Sequence, residues 1–352
     1  MALKVGIIGN GGIANAHMDG YLSMGEEVEI VACCDINFQK AKDYAEKYGI
    51  KNYYDNCYDM LKDNQLDVVS VCTWNNAHAE CSIAALEAGC HVLCEKPMAM
   101  NTEEALKMKE AAEKNGKLLM IGFVRRQGLD AAAAIDYIKK GYLGEIYYAK
   151  ATYLRRCGFP GGWFGDVTLS GGGPLIDLGV HVIDLSRYIM GNPKPVTVFG
   201  ATFNKIGARS HIKGGDWQSE TVVEEPVFTV EDLATAMIRF DNGAVLQVEA
   251  SFNLNLKQSC GDINFFGDKA GLSLSPFELY TEFNNQLADI IPKGKADFDF
   301  QRDFRKEIKN FIDAVNGKAE CLATAEDGVE LMRILDAVYL SAKTGKSVDI
   351  VR

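Results

Sequence analysis

Four polar side chains that could carry acid–base chemistry fall on one face of a predicted helix in the middle of the chain. At spacings of i, i+4, i+7 and i+11 they are Asp177, His181, Asp184 and Tyr188. The adjoining apolar stripe consists of Leu178, Val182, Leu185 and Ile189. Hydride transfer from an alcohol needs a group that takes the hydroxyl proton, and histidine, with an ordinary pKa of about 6.5, suits this task. The spacing leaves open that His181 is a structural histidine paired with a carboxylate.

A glycine-rich turn near the start of the chain indicates a dinucleotide-binding loop. The segment Val5–Ala14 reads VGIIGNGGIA, in which Gly9, Gly11 and Ala14 fit G-x-G-x-x-[G/A] between a strand and a helix. The first glycine permits the tight turn, and the second lets the backbone approach the pyrophosphate. Backbone N–H groups at the helix start then face the anion. A purely conformational glycine turn is the alternative.

Asp35, at the end of the second predicted strand, indicates which dinucleotide binds. A carboxylate at this position hydrogen-bonds the ribose hydroxyls of NAD and repels the 2′-phosphate of NADP. The following residues, Ile36–Phe38, include no arginine that could hold such a phosphate. We therefore expect NAD rather than NADP.

A lysine follows the fourth predicted strand, in the sequence CEKP over Cys94–Pro97. Ligands of open α/β sheets bind outside the carboxyl ends of the strands, so Glu95 and Lys96 are expected beside the cofactor. There Lys96 can hydrogen-bond a reacting oxygen and stabilise negative charge on it. A solvated surface lysine is the alternative. The residues expected to bind the cofactor are Gly9, Gly11, Gly12, Ile13, Asp35, Thr73, Trp74, His78, Glu95 and Lys96.

The order of the predicted elements gives the fold class. In the first third, strands that are apolar throughout alternate with amphipathic helices, which predicts a doubly wound parallel sheet. After the predicted helix Pro174–Ile189, strands dominate, with Asp241–Gly243 as a hairpin turn, which predicts a large, mainly antiparallel open sheet in an α+β domain. We expect a Rossmann dinucleotide-binding domain at residues 1–124 and a domain for substrate binding and oligomerisation at residues 125–352.

The composition of the chain disfavours several classes of binding partner and of bound metal. The 352 residues carry a formal net charge of −11, which disfavours nucleic acids and anionic membrane surfaces. The ten cysteines and five histidines show no metal-ligand spacing, so no metal site is expected. The first residues form a predicted strand without a basic segment and an apolar stretch before it, so we expect no signal peptide, and no apolar run reaches the roughly 20 residues that span a bilayer. Free thiols in a reducing cytoplasm are expected.

These motifs together resemble the Gfo/Idh/MocA oxidoreductases over essentially the whole chain. The matching pieces are GNGGIA with Asp35, the EKP of Glu95–Pro97, the GGGPLIDLGVHVIDL block that begins at Gly171, and the ending Ala325–Ile350. In that family a last helix, here about residues 325–345, packs back near the Rossmann domain. In many members of that family the open face of the C-terminal sheet forms dimer or tetramer contacts, so the resemblance implies a homodimer or homotetramer.

The resemblance also implies roles for individual residues. Lys96 matches the lysine that contacts the reacting hydroxyl, Asp177 an acidic residue that binds the substrate, and His181 the general acid/base. These three are the expected catalytic residues, with Asp184 in support. The loop before the predicted helix carries two arginines and two aromatic residues, which could bind the face of a sugar ring or a carboxylate. They are Arg155, Arg156, Trp163 and Phe164. A loop packed around its tryptophan is the alternative.

The function predicted from these residues is an NAD-dependent dehydrogenase that acts on a CH–OH group of a sugar or cyclitol. Two alternatives remain open at this point. Some relatives are NAD-dependent glycosidases that oxidise the sugar transiently, an exception to the two-carboxylate mechanism. A few relatives sense NAD and regulate transcription partners, a reading that loss of the lysine and histidine would favour, and both residues are present here.

Overall fold

The chain folds into two units, each built around its own sheet. The computed structural model describes residues 2–212 and 227–351. The first unit comprises Met1–Val124 and Phe300–Met332, and the second comprises Arg125–Asp299 and Arg333–Arg352. The sequence placed all residues from 125 to 352 in one domain, whereas the structure groups Phe300–Met332 with the first unit. The helix that contains Met332 therefore contributes to both units.

The described residues form the following elements. The strands are β1 (Leu3–Ile8), β2 (Val28–Cys34), β3 (Asn52–Tyr54), β4 (Val68–Val71), β5 (His91–Glu95), β6 (Leu119–Gly122), β7 (Ile146–Leu154), β8 (Pro195–Phe203), β9 (Leu233–Phe240), β10 (Val245–Ser251), β11 (Cys260–Gly267), β12 (Gly271–Leu274), β13 (Phe277–Phe283), β14 (Gln286–Ile290) and β15 (Val348–Asp349). The α-helices are α1 (Gly12–Leu22), α2 (Phe38–Tyr48), α3 (Cys57–Asp63), α4 (His78–Glu87), α5 (Thr102–Asn115), α6 (Leu129–Lys139), α7 (Val167–Ser170), α8 (Val180–Ile189), α9 (Phe300–Val315) and α10 (Ala325–Thr344). A π-helical turn, Leu175–Gly179, leads directly into α8.

The sheet of the first unit has the order β3-β2-β1-β4-β5-β6, and every pairing in it is parallel. This strand order is that of dinucleotide-binding doubly wound folds, so the predicted Rossmann sheet is confirmed. Its central strands are buried along almost their whole length, since helices cover both faces of such a sheet. All the strands therefore end at one edge, where the predicted cofactor residues lie.

Local sequence explains where the helices of this unit begin. The asparagines Asn37, Asn56 and Asn101 cap α2, α3 and α5, each accepting a hydrogen bond from a backbone N–H in the first turn. On α1, Gly20 allows close contact with α9, because a Cβ atom there would lie 2.5 Å from Cγ1 of Ile308. The helix that follows the glycine-rich loop is thus held against α9.

The second sheet has the order β14-β13-β12-β11-β7-β10-β9-β8-β15. Its pairings are antiparallel apart from β7 with β10, so the prediction of a large, mainly antiparallel sheet is confirmed. The predicted hairpin joins β9 to β10 at Asp241–Gly243, where Gly243 has φ +88°. Along β9 and β10, buried residues alternate with more exposed ones, so one face of the sheet is covered and the other is more open.

Several short elements were not predicted from the sequence. They are β3, α3, α7, β15 and the strands β12–β14 near the end of the second sheet. The described part of the chain contains no helix that is both long and apolar enough to cross a membrane.

Candidate active site

Close backbone packing shapes the loop between β1 and α1. Gly9 has φ +86°, and a Cβ atom on it would lie 2.6 Å from the carbonyl carbon of Cys72. Its N–H donates to the Cys34 carbonyl at 2.7 Å, so the loop is fixed to the end of β2 as well. A side chain at residue 9 would clash with main chain that cannot move aside, which explains the first glycine of the motif.

The start of α1 is free to receive an anion. Among the residues that the structure describes, no side chain caps this helix end at Gly11, and a Cβ atom on Gly11 would meet only Lys40 Nζ, at 3.7 Å. The helix itself begins at Gly12, followed by the half-buried Ile13. Uncapped N–H groups and the helix dipole suit a pyrophosphate. Lys40 is a cation close to this point that the sequence reasoning did not identify.

Asp35 is held rigidly just after β2. Its Oδ2 accepts the Asn10 N–H at 2.9 Å, and its Oδ1 accepts the Asn37 N–H at 3.0 Å. Within residues 2–212 and 227–351, the buried side-chain amide of Asn10 makes no hydrogen bond of its own. A buried amide of this kind is costly, and the hydroxyl and phosphate oxygens of a dinucleotide can supply its partners. The glycine-rich loop and the open space at Gly11 fit the pyrophosphate of NAD, and the Asn10 amide fits its hydroxyl or phosphate oxygens.

His78 joins two neighbouring strand ends. Its Nδ1 lies 2.6 Å from the Pro97 carbonyl oxygen and its Nε2 lies 3.2 Å from the Thr73 carbonyl oxygen. Burial lowers the pKa of His78, so the neutral ring donates to one of these carbonyls. The contacts described for this side chain are with the main chain, so it braces Thr73 and the turn that follows β5. Trp74, beside Thr73, is half-buried.

Glu95 is the last residue of β5 and is buried. Its Oε1 lies 2.9 Å from His17 Nε2, and its Oε2 accepts the Lys96 N–H at 3.1 Å. Burial raises the pKa of Glu95, but the hydrogen bond from the His17 ring, together with the charge and the backbone N–H of Lys96, outweighs it, so the pKa lies below its usual range. The half-buried Lys96 thus follows an ionised, fixed carboxylate.

In the second unit, the π-helical turn and α8 form one continuous helix, which we call the site helix (Leu175–Ile189). Within it, only Asp177, His181 and Tyr188 are partly exposed, and every other residue is buried. Three of the four predicted polar residues are therefore the partly exposed residues of this helix. A π-helical turn is rare and occurs frequently at functional sites.

Asp184 faces the interior instead. Its carboxylate accepts hydrogen bonds from Arg126 Nε at 2.9 Å and Arg126 Nη2 at 2.6 Å, and both side chains are almost fully buried. The guanidinium also stacks on the Tyr188 ring at 4.6 Å. Asp184 therefore anchors the site helix through a bidentate ion pair.

A second buried carboxylate holds the start of the site helix. The two oxygens of Glu231 accept the Gly173 N–H at 3.0 Å, the Leu175 N–H at 3.2 Å and the Tyr339 hydroxyl at 2.9 Å. A Cβ atom on Gly172 would lie 2.0 Å from the Tyr339 hydroxyl, and one on Gly173 would lie 2.3 Å from the Glu231 carbonyl oxygen. The glycines before the site helix therefore make room for Glu231 and Tyr339.

The predicted substrate loop packs partly into the core of the second unit. Arg155 donates to the Gly158 carbonyl at 2.9 Å and lies over the Tyr153 ring, and Trp163 stacks on Phe164 at 4.0 Å between ring centroids. The half-buried Phe159 of this loop packs on a cluster that includes Leu178 of the site helix. The loop is thus attached to the same helix that carries His181.

The structure places the predicted residues in two groups, one in each unit. The first unit holds the cofactor set and Lys96, and the second holds Asp177, His181, Arg155 and Trp163. Sequence reasoning missed Arg126, Glu231 and Tyr339, and it missed the pairing of His17 with Glu95. Each of these bonds a partner far away in the chain, so no local spacing could reveal it.

Comparison with known proteins identifies the family. Residues 3–123 match the model described as "Oxidoreductase family, NAD-binding Rossmann fold", and residues 135–350 match "Oxidoreductase family, C-terminal alpha/beta domain". The chain belongs to the Gfo/Idh/MocA oxidoreductases. The predicted family, oxidoreductase activity and NAD cofactor are confirmed.

Several characterised proteins resemble this Gfo/Idh/MocA oxidoreductase. D-glucoside 3-dehydrogenase of Escherichia coli (strain K12) is 40% identical over 351 residues, covering 99% of this chain and 97% of that protein. Levoglucosan dehydrogenase of Pseudarthrobacter phenanthrenivorans is 32% identical over 311 residues, covering 82% and 78%. A solved structure of levoglucosan dehydrogenase in complex with NADH superposes with a TM-score of 0.86 at 25% identity, covering both chains completely.

The Glu231 contacts predict that this carboxylate fixes the start of the site helix. We expect Glu231→Gln to lower the free energy of unfolding by about 1–3 kcal/mol, because one backbone N–H would then face an amide NH₂ group. Denaturant titration measures this. The exposed Glu282→Gln on β13 is the matched control, with an expected change within about 0.5 kcal/mol. Equal unfolding midpoints for the two variants would contradict the role given to Glu231.

Proposed function

We propose that this oxidoreductase transfers a hydride from a secondary ring hydroxyl of a sugar or cyclitol to NAD, with D-glucosides oxidised at C3 as the first substrate class to test. The observation that carries the proposal is the pair Asp177 and His181 on the partly exposed face of an otherwise buried helix. The 40% identity to a D-glucoside 3-dehydrogenase supports the substrate class. Arg155 and Trp163, on the loop attached to that helix, suit the polar rim and apolar face of a sugar ring.

Three side chains of the protein, those of His181, Lys96 and Asp177, have separate roles in this reaction. His181 takes the proton of the reacting hydroxyl, since its imidazole is the ordinary base for this task near neutral pH. The ammonium of Lys96 donates a hydrogen bond to the same oxygen and stabilises the negative charge that develops on it. Asp177, one turn before His181, accepts hydrogen bonds from the substrate's hydroxyl groups. In the reverse direction His181 returns the proton to the carbonyl oxygen.

The glycine-rich loop and Asp35 would hold the cofactor. The N–H groups at Gly11, Gly12 and Ile13 would donate to the pyrophosphate, and the carboxylate of Asp35 would accept hydrogen bonds from the adenosine ribose hydroxyls. Thr73, Trp74 and the main chain at Glu95 lie at the neighbouring strand ends, on the side expected for the nicotinamide. When bound, NAD supplies the acceptor for the hydride.

Replacement of His181 tests the proposed acid–base role. We expect His181→Asn to lower kcat for a methyl glucoside about 100-fold or more, because proton removal would lack its base, while NAD binding is unchanged. Lys96→Ala should lose activity by a comparable factor. The measurement is NADH absorbance with NAD and a panel of glucosides, anhydro sugars and inositols, and intrinsic tryptophan fluorescence reports NAD binding.

The control is His211→Asn, an exposed histidine of the second unit. Wild-type turnover in His181→Asn would contradict the proposed role of this residue. Cleavage of a glycoside without net NADH formation would instead identify the glycosidase reaction.

We also propose that the open face of the nine-stranded sheet forms a homo-oligomer contact. Phe199 of β8 pairs with Met237 of β9, and about half of each side chain is exposed (51% and 52%). On the same face, Phe266 and Tyr280 are also exposed large side chains. Apolar patches of this kind mark protein–protein contacts on soluble proteins.

Light scattering after size exclusion tests this contact. We expect a dimer or tetramer for the wild type and a smaller species for Phe199→Glu, because a charge would be buried in an apolar interface. Phe283→Glu is the control, since Phe283 is 77% exposed near the edge of the sheet. A monomeric wild type, or an unchanged assembly in Phe199→Glu, would contradict the proposal.

Cysteine chemistry supports a cytoplasmic location. All ten cysteines are free, and six of them are buried. Burial raises the pKa of Cys90 to about 11 and the pKa of Cys94 to about 12, which keeps these thiols protonated and unreactive. Free thiols in such number are typical of proteins that work in a reducing compartment.

A further inference from the structure

A chain of buried hydrogen bonds runs through the first unit to the residue before Lys96. The Tyr21 hydroxyl lies 2.7 Å from Ser70 Oγ, which lies 3.0 Å from His17 Nδ1. The other ring nitrogen of His17 lies 2.9 Å from Glu95 Oε1. Tyr21, His17 and Ser70 are completely inaccessible to solvent, and Glu95 is 5% exposed. The chain of contacts therefore joins α1, β4 and the end of β5 without any contribution from bulk water.

The protons of this chain can be assigned consistently in one direction. The Tyr21 phenol donates to Ser70, and the Ser70 hydroxyl donates to His17 Nδ1. The neutral imidazole then donates from Nε2 to the Glu95 carboxylate, whose Oε2 accepts the Lys96 N–H. In this arrangement every donor has an acceptor and the negative charge resides on Glu95, beside Lys96.

A metal ion is the competing explanation for this cluster. His17, Glu95 and Glu307 of α9 each offer an atom within 4.8 Å of the others, and all three residues are buried. These ligands come from three separate elements, which is why the sequence showed no metal-ligand spacing. The direct 2.9 Å contact between His17 and Glu95 is the length of a charge-assisted N–H···O bond, and the Ser70 contact occupies the second ring nitrogen. A proton accounts for both contacts without a metal.

We propose that His17 is a positioning residue for the reaction, which fixes the main chain at Lys96 through the Glu95 carboxylate. This inference rests on the proposed role of Lys96. The same helix, α1, presents its N-terminus to the cofactor and its interior His17 to Glu95, so one element aligns the phosphate site and the catalytic lysine. His17 touches neither substrate nor cofactor in this role.

The charge on Glu95 depends on its surroundings. The titratable groups that face it or act on it are His17, Cys72, His78, Cys94, Lys96 and Glu307. Loss of the His17 donor removes the largest contribution that lowers the pKa of Glu95, so burial would then raise that pKa. Glu95 would become protonated at a higher pH than in the wild type. The acid limb of the pH–kcat profile should move in the same direction.

Three variants at two histidines test the proposal. His17→Leu removes the donor, whereas His17→Gln retains an N–H group close to the position of Nε2. We expect His17→Leu to lower kcat about 10- to 100-fold, with the KM for NAD little changed and the acid limb shifted to higher pH. His17→Gln should restore most of the activity. The matched control is His91→Asn at the opposite end of β5, where the ring accepts the Leu118 N–H at 2.9 Å.

Hydrogen exchange provides a readout that does not depend on turnover. The Lys96 amide, which donates to Glu95, should exchange faster in His17→Leu than in the wild type, and His91→Asn should leave it unchanged. Purified wild-type protein should contain no stoichiometric divalent metal. One equivalent of a bound metal would overturn the proposal, and so would a His17→Leu variant with wild-type kcat, pH profile and Lys96 exchange.

The Lys96→Ala variant separates this proposal from the proposed function. Wild-type turnover in Lys96→Ala would reject the role of the lysine itself. If Lys96→Ala is inactive and His17→Leu behaves like the control, only the positioning role of His17 is rejected.

Discussion

The first unit depends on the parallel alignment of its six strands. Because parallel strands all end at one edge, the residues that follow them meet there although they are far apart in the sequence. Gly9 follows β1, Asp35 follows β2, Thr73 lies just beyond β4, and Lys96 follows β5. The edge is held together by main-chain contacts, among them the close approach of Gly9 to Cys72. The helix α1 begins at this edge, which makes its N-terminus available to a pyrophosphate.

In the second unit, the site helix is held in place while two of its polar side chains, Asp177 and His181, remain partly exposed. Two buried carboxylates do this. Glu231 binds the N–H groups at the start of the site helix, and Asp184 pairs with Arg126 further along it. Loss of one partner from a buried ion pair costs about 3–5 kcal/mol, so the helix has little freedom to shift. Asp177 and His181 are therefore presented from a fixed backbone.

Much of this arrangement could be predicted from sequence because it depends on local pattern. The glycine motif, Asp35 and the alternation of apolar strands with amphipathic helices are short-range features that can be recognised from neighbouring residues alone. The strand β3 has three residues and no buried position, so no apolar run marks it. The partnerships of Glu95 with His17 and of Glu231 with Tyr339 join residues brought together only by the tertiary fold. The role of Asp184 illustrates the same limit, because spacing placed it with His181 whereas Arg126 holds it in the interior.

Transfer of a specific hydrogen tests the central claim most directly. Methyl glucoside with deuterium at C3 would be incubated with the protein and NAD, and the reduced nicotinamide would be isolated and examined by mass spectrometry and NMR. The account predicts deuterium at C4 of the nicotinamide, together with a 3-keto glycoside and a slower rate than with the protiated sugar. NADH without deuterium would place the oxidation at another carbon, and no reduced nicotinamide with any sugar or cyclitol would contradict the proposed dehydrogenase.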